Sequence, residues 1–254
     1  MSRIIAIANQ KGGVGKTTTS INLAAALAEA GQRVLAIDFD PQGNLSSGLG
    51  ISRNDFETGV YEMLMGEASF DNVIIKTPVD NLFLLPSDMN LSGAEIELLD
   101  VEQRENTLKK YLTDVKSDFD YIIIDCPPSL SLLTINALTA ADSVLVPIQC
   151  EYYALEGLSQ IMNTINLVKK KLNENLRLEG VVFTMYDARI NLSQQVVESV
   201  RAALHEKIYN TIIPRNVRLA EAPSHGMPVT EYDPYSKGAD SYRKLAAEVM
   251  AAEE

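Results

Sequence analysis

Short apolar runs alternate along the chain with stretches whose apolar residues recur at helical spacing. Ile4-Ile5-Ala6-Ile7-Ala8, Arg33-Val34-Leu35-Ala36-Ile37-Asp38, Leu82-Phe83-Leu84-Leu85-Pro86, Tyr121-Ile122-Ile123-Ile124-Asp125, Ser143-Val144-Leu145-Val146-Pro147 and Leu178 to Thr184 read as strands. The unbroken β-branched run Ile122-Ile123-Ile124 marks a strand covered on both faces. Ser20–Ala28, Val60–Met65, Leu130–Ala140, Leu155–Leu172 and Lys237–Ala252 read as helices, and Gly93 to Leu112 as one helix or two pieces. Gly31 supplies a stop for the first of them. The alternation predicts an α/β fold: a single domain over residues 1–254, doubly wound, with a mostly parallel sheet and helices on both faces. No internal repeat, linker or low-complexity stretch interrupts it.

Gln10-Lys11-Gly12-Gly13-Val14-Gly15-Lys16-Thr17-Thr18 lies between the first strand and the first helix. Strand, glycine loop and helix in that order form the setting of a phosphate-binding loop. Glycines let successive backbone N–H groups converge on a β-phosphate, and the helix N-terminus adds partial positive charge. Lys16 supplies a full charge, and the Thr17 hydroxyl is placed to ligate Mg²⁺. Gly12 through Thr18 are therefore the candidate phosphate contacts. Against the pattern Gly-x4-Gly-Lys-Thr the first glycine is replaced by Gln10, with Lys11 beside it. Lys-Gly-Gly-x-Gly-Lys-Thr is the deviant Walker A form of the P-loop NTPase motif.

Composition narrows the class. The 254 residues are 46% hydrophobic, enough for a large core and too many for a disordered chain. Cys126 and Cys150 lie far apart without metal-ligand spacing, which fits a reducing cytoplasm and a buried, inert Cys126. His205 and His225 have no Cys or His near them in sequence, so metal ligation is not expected there. Met-Ser-Arg leads straight into the first strand, leaving no room for a signal peptide, and no apolar run nears membrane-spanning length. A cytoplasmic protein is expected.

The net charge of −12 argues against nucleic acid, but its distribution weakens the objection. Residues 1–150 carry 10 Lys and Arg against 20 Asp and Glu, whereas residues 151–254 carry 12 against 14. The second part has room for a local basic patch. Any DNA binding should be weak and strongly salt-sensitive.

Two acidic segments fall at strand C-termini, where open α/β sheets bind ligands. They are Asp38-Phe39-Asp40-Pro41-Gln42-Gly43-Asn44 and Asp125-Cys126-Pro127-Pro128-Ser129. An aspartate ending an apolar strand suits Mg²⁺, usually through a coordinated water. Asp125 reads as a Walker B residue; Asp40 is better placed to orient an attacking water, with Asp38 near the metal. Thr17, Asp38, Asp40 and Asp125 form the candidate metal set. The alternative is that these aspartates only cap turns or helix N-termini.

Taken together, the lysine-rich glycine loop, Asp-Phe-Asp-Pro-Gln-Gly-Asn and Ile-Ile-Asp-Cys-Pro-Pro-Ser resemble the ParA/Soj chromosome-partitioning ATPases of the MinD/ParA superfamily. The resemblance extends over essentially the whole chain, including Gln149–Gly157 and Ile213–Gly226. It implies ATP and Mg²⁺ as cofactors and a face-to-face homodimer formed on ATP. In that dimer Lys11 reaches the partner's nucleotide and becomes catalytic with Lys16 and Asp40, since a lysine delivered in trans stabilises charge on the γ-phosphate. Gly12 would sit where the subunits nearly touch. It further implies slow hydrolysis, nonspecific binding of double-stranded DNA by the dimer, a ParB-type partner that stimulates turnover, and association with the nucleoid.

The same resemblance assigns DNA contacts to Arg189 and Arg218, and the adenine to Met185–Asp187 and Pro214–Asn216, hence Met185, Pro214, Arg215 and Asn216. A guanidinium can hold phosphate oxygens bidentately without reading sequence; the other reading of either arginine is a surface or ion-paired residue. Lys169-Lys170-Lys171 reads as a solvated helix end. Two other classes share the nucleotide loop. A MinD-like membrane switch needs a basic amphipathic C-terminal helix, and this tail is acidic and Ala-rich, so no membrane partner is expected. An electron-transfer ATPase like the nitrogenase iron protein needs cluster cysteines, whose pattern Cys126 and Cys150 do not match. Because the chain starts at its first strand, without the helix-turn-helix region of some plasmid relatives, operator recognition is not expected.

Overall fold

The computed structural model describes residues 2–204 and 208–252. His205 and the Glu253-Glu254 end of the acidic tail lie outside them. The strands are β1 (Arg3–Ile7), β2 (Val34–Asp38), β3 (Ile75–Lys76), β4 (Leu82–Leu85), β5 (Tyr121–Asp125), β6 (Ser143–Gln149), β7 (Arg177–Tyr186) and β8 (Ile208–Pro214). The helices are α1 (Lys16–Glu29), α2 (Asn44–Gly48), α3 (Val60–Leu64), α4 (Phe70–Val73), α5 (Leu91–Glu97), α6 (Thr107–Val115), α7 (Leu132–Ala140), α8 (Ala154–Lys171), α9 (Asn191–Ala203), α10 (Val217–Glu221), α11 (Val229–Tyr232) and α12 (Lys237–Ala251).

The strands form one eight-stranded sheet in the order β3-β4-β2-β5-β1-β6-β7-β8, parallel except for the β3–β4 pair. Successive strand side chains point to opposite faces, so each strand feeds two cores. Ile4, Ala6, Leu35, Ile37, Ile122 and Ile124 enter one with the buried sides of α5 to α9. Ile5, Ile7, Val34, Ala36 and Ile123 enter the other with α1 and α12. This explains the unbroken apolar runs: with helices on both faces, neither side can be polar.

β3, β8 and α9 were not legible in the apolar pattern. β3 has two residues, too few for a period. β8 is an edge strand in which Tyr209 and Ile213 are buried while Asn210 is exposed. α9 buries Val196, Val197 and Val200, and β-branched residues blur a helical signal. The 93–112 stretch is in pieces: α5 tightens into a 3₁₀ turn at Leu98–Asp100, and Gln103, at φ 55°, separates it from the turn that leads into α6.

Parallel register sets the site. Asp38 at the end of β2 pairs with Asp125 at the end of β5, and Asp125 pairs with Ile7 on the other side. The loop leaving β1 therefore emerges beside both aspartates, at the carboxyl edge of the sheet.

Candidate nucleotide site

The glycine loop turns into α1 through Gly15, which lies at φ 87°, ψ 28° in the left-handed region. A side chain there would be strained by the backbone, although its Cβ would meet Thr184 only at an ordinary contact distance of 3.7 Å. No side chain caps the α1 N-terminus, so its first N–H groups are open to an anion. The loop itself is pinned. Thr184 Oγ1 donates to Val14 O at 2.8 Å, Asn9 Nδ2 donates to Pro147 O at 2.8 Å, and Lys11 N donates to Asn9 Oδ1 at 3.0 Å.

Lys16 folds back over the loop and donates to Lys11 O at 3.3 Å. Burial lowers its pKa, while Asp125, Cys126 and Asp40 pull it back upward. It is a cation held near carboxylates in a place from which water is largely excluded.

The three aspartates have different partners. Asp125 is fully buried; its Oδ1 accepts from Ser20 Oγ at 2.8 Å, and Thr17 also hydrogen-bonds the carboxylate. Its Oδ2 has no partner among the described residues. Burial raises Asp125 to about 7. Asp38, also fully buried, accepts at Oδ2 from Ser46 N at 2.8 Å and Ser46 Oγ at 2.7 Å, and burial followed by the charge of Asp125 raises it to about 8. Asp40 Oδ1 accepts from Gln42 N at 3.0 Å, and its backbone O accepts from Ser87 Oγ at 3.2 Å. Asp38 and Asp40 thus both shape the 38–47 loop, the capping role, while Asp125 presents an open, desolvated oxygen.

That open oxygen fits a divalent cation. Among the described residues no three Asp, Glu, His or Cys side chains converge to hold a metal by themselves. Mg²⁺ is a cation that takes one or two protein ligands and completes its shell with water and phosphate oxygens. Thr17 and Asp125 beside the phosphate loop offer that donor set.

Next to the loop runs a cleft of about 190 Å³ whose lining includes Gly15, Thr18, Thr184, Met185, Pro214, Arg215, Asn216, Leu219 and Tyr242. Met185, Pro214, Arg215 and Asn216, assigned to the adenine by resemblance, thus line one wall system with the phosphate loop. Arg215 N donates to Tyr186 O at 2.9 Å and ties the two strand ends together. Thr184, Leu219 and Tyr242 were missed: none has a local sequence signal, because they reach the cleft from β7, α10 and α12.

Lys11 and Gly12 face outward. Lys11 Nζ rests on Glu151 Oε2 at 3.2 Å in a half-exposed ion pair. Gly12 is exposed, and a Cβ on it would meet only Pro128 Cβ, at 4.0 Å. Nothing among the described residues demands glycine at position 12.

The two arginines stand beyond the ends of neighbouring strands, β7 and β8. Each is ion-paired. Arg189 forks onto Asp187, with Nε to Oδ1 at 2.9 Å and Nη2 to Oδ2 at 2.7 Å, and this holds the Asp187 carboxyl at about 2. Arg218 reaches Glu221 at 2.8 Å and Asp233 at 3.1 Å. Of the other side residues, His225 stacks on Tyr232 and both cysteines are buried. No helix among the described residues is long and apolar enough to cross a membrane.

Known proteins resemble this chain in sequence and in fold. A family model described as an AAA domain matches residues 2–178. The chain is 60% identical over 251 residues to the sporulation initiation inhibitor protein Soj of Bacillus subtilis, covering 99% of each. It is 53% identical over 251 residues to the chromosome-partitioning ATPase Soj of Treponema pallidum, covering 99% of this chain and 98% of that one. Its fold matches cobyrinic acid a,c-diamide synthase of Mycobacterium smegmatis, solved with an ATP analogue and magnesium. That match has a TM-score of 0.88 at 39% identity, over 100% of this chain and 96% of the other.

Proposed function

The chain belongs to the Soj/ParA family of chromosome-partitioning ATPases, and on that premise we propose that it is an ATP-timed dimer switch that holds and releases DNA in the cytoplasm, on the nucleoid. One observation carries the reading: the phosphate loop and the 185/214–216 cleft are continuous, sharing Gly15 and Thr18 as a common wall. A nucleoside triphosphate fits such a groove with its base in the cleft and its phosphates on the α1 N-terminus.

Each residue then has a task. The backbone N–H groups of Gly13 to Thr18 and the Lys16 ammonium hold the phosphates. Thr17 and Asp125, whose Oδ2 is open, would hold Mg²⁺, with Asp38 behind them keeping the loop in shape through Ser46. Magnesium, when bound, supplies neutralisation of phosphate charge. Asp40 orients the attacking water. Lys11 leaves Glu151 and reaches the partner's phosphates, so hydrolysis is completed only in the dimer, and Gly12 leaves space for the partner chain. Arg189 and Arg218 exchange their intramolecular carboxylates for DNA phosphates, doubled by the dimer. That exchange keeps affinity modest and salt-dependent, as a reversible switch on a −12 chain requires. A ParB-type partner accelerates turnover and thereby release.

The test is DNA co-sedimentation with ATP, with ADP and without nucleotide, at low and moderate salt. Retention confined to ATP and lost as salt rises is the expected result. Equal retention in all three states, or none in any, overturns the switch.

A further inference from the structure

Behind Lys16, α1 continues with four hydroxyl residues in a row, Thr17-Thr18-Thr19-Ser20, a poor helical sequence in which three are β-branched. Three of them have evident places. Thr17 hydrogen-bonds the Asp125 carboxylate, Thr18 lines the cleft, and Thr19 Oγ1 lies 3.3 Å from Tyr242 Oη. Ser20 is fully buried and does not line the cleft, so its hydroxyl serves something inside the protein. Two acceptors are within its reach: Lys16 O at 3.1 Å, one turn back on the same helix, and Asp125 Oδ1 at 2.8 Å. A serine has one proton to give, and the carboxylate is the stronger acceptor at the shorter distance. The contact with Lys16 O is the ordinary one for a serine inside a helix. The bond to Asp125 instead ties α1 to the end of β5.

The torsion that turns a carboxyl group is soft and two-fold, so nothing intrinsic distinguishes its two oxygens. With Oδ1 engaged by Ser20, Oδ2 is left as the unpartnered one, in a place without solvent. Pairing of β5 with β1 and β2 fixes the backbone of Asp125 between Ile7 and Asp38, and Ser20 fixes the rotation of its side chain. Because Ser20 and Lys16 are one turn apart on α1, the same bond sets the carboxylate against the phosphate-binding end of that helix. We propose that Ser20 is a positioning residue of the nucleotide site: its hydroxyl holds Asp125 with Oδ2 free, and thereby sets the affinity for Mg²⁺ bound together with nucleotide. The proposal rests on the reading that Asp125 holds Mg²⁺. Groups that orient a metal ligand without touching the metal typically govern metal affinity by about 10- to 100-fold.

The experiment compares the full chain with Ser20→Ala, Ser20→Thr and Asp125→Asn, titrating a fluorescent N-methylanthraniloyl ATP in EDTA and in Mg²⁺. Ser20→Ala should bind the probe in EDTA as the parent chain does, and should lose about tenfold of the strengthening that Mg²⁺ brings. Hydrolysis of ATP should show the same split. The Mg²⁺ concentration for half-maximal turnover should rise about tenfold, while turnover at saturating Mg²⁺ stays close to that of the parent. Ser20→Thr keeps a hydroxyl at the position and should restore both readouts. The proposal is overturned if Ser20→Ala keeps the full Mg²⁺ strengthening, or if it weakens the probe equally in EDTA and in Mg²⁺, which is the mark of a merely structural serine. It is also overturned if Ser20→Thr melts at the parent's temperature yet behaves as Ser20→Ala, because the hydroxyl is then not the operative group. Asp125→Asn should abolish the strengthening and so separates two failures. If it does and Ser20→Ala does not, the role of Ser20 alone falls. If Asp125→Asn leaves the strengthening intact, the metal reading of Asp125 falls and takes the proposal with it.

Discussion

At the carboxyl ends of β2 and β5, Asp38 and Asp125 are 0% exposed, whereas beyond β7 the side chain of Arg189 is 87% exposed. Both places gather charge at one edge of one sheet, but they hold it differently. The aspartates and Lys16 are out of water and incompletely matched: one carboxylate oxygen is open, and the carboxyl pKa values are pushed up to about 7 and 8. The arginines are in water and fully matched, each against a neighbouring carboxylate. A desolvated, unmatched cluster gains most from a ligand of complementary charge, and a small change there is felt strongly. A solvated, matched pair gains only the difference between two partners. The first arrangement suits tight holding of a nucleotide, the second a loose and reversible grip.

The contrast fixes the order of mutational effects. Lys16→Gln should be the most severe, because it removes the cation from a buried phosphate site; phosphate release should fall by about 10²-fold or more, the scale of losing a preorganised electrostatic contact. Residual turnover within tenfold of the parent chain would mean that the buried cluster is not the phosphate site. Gly12→Val should come next, and it acts outside the chain. A Cβ at Gly12 meets nothing closer than 4.0 Å, so the variant should fold and bind nucleotide, yet remain monomeric with ATP in analytical ultracentrifugation. An ATP-dependent dimer of this variant would place the subunit contact elsewhere.

At the exposed corner effects should be smaller and should depend on salt. Arg189→Glu should weaken ATP-dependent DNA retention by about tenfold while nucleotide affinity stays unchanged. Asp187→Ala is the sharper test. It frees Arg189 from its fork, so retention should rise and persist to higher salt. If Asp187→Ala instead lowers retention, the pair acts as a unit in shaping the corner, and the phosphate contact lies on another cation.

The buried pole was the more legible of the two in sequence. Gly12 through Thr18 and the strand-ending aspartates lie in segments a few residues long, and their meaning follows from local geometry: glycine before a helix, carboxylate after an apolar strand. The α/β architecture was legible for the same reason, since buried parallel strands carry continuous apolar runs. What was not legible depends on contacts between distant segments. Ser20, Ser46 and Ser87 look like ordinary loop and helix serines, and only the fold reveals that they hold Asp125, Asp38 and Asp40. The fork from Arg189 to Asp187 lies two residues apart in sequence, but its geometry depends on how the chain leaves β7. Edge strand β8 was missed because Asn210 and Thr211 interrupt its apolar run, although Tyr209 and Ile213 pack on one core and Ile208 and Ile212 on the other.

The smallest expected effect separates the two regions by pH. Asp38 and Asp125 bind protons more tightly in the folded chain than in the unfolded one, where an aspartate titrates at 3.8. Their contribution to stability is therefore complete below about pH 4 and is lost as pH rises through about 7 and 8. Asp187 is shifted the other way, to about 2; its contribution is present above 3.8 and is lost only in stronger acid. Between pH 5 and 8, then, the buried pole should carry a stability slope and the exposed corner none. In magnesium-free, nucleotide-free buffer the melting temperature should fall across that window. Asp38→Asn keeps an acceptor for Ser46 but removes the titrating group, so it should flatten the fall and raise the melting temperature at pH 8 by a few degrees, at roughly 2–4 °C per kcal/mol. Asp187→Asn should leave the curve parallel to that of the parent chain. If Asp38→Asn also leaves it parallel, the Asp38 carboxyl is already charged in the folded state, and the contrast between a desolvated pole and a solvated corner fails where it makes its most specific claim.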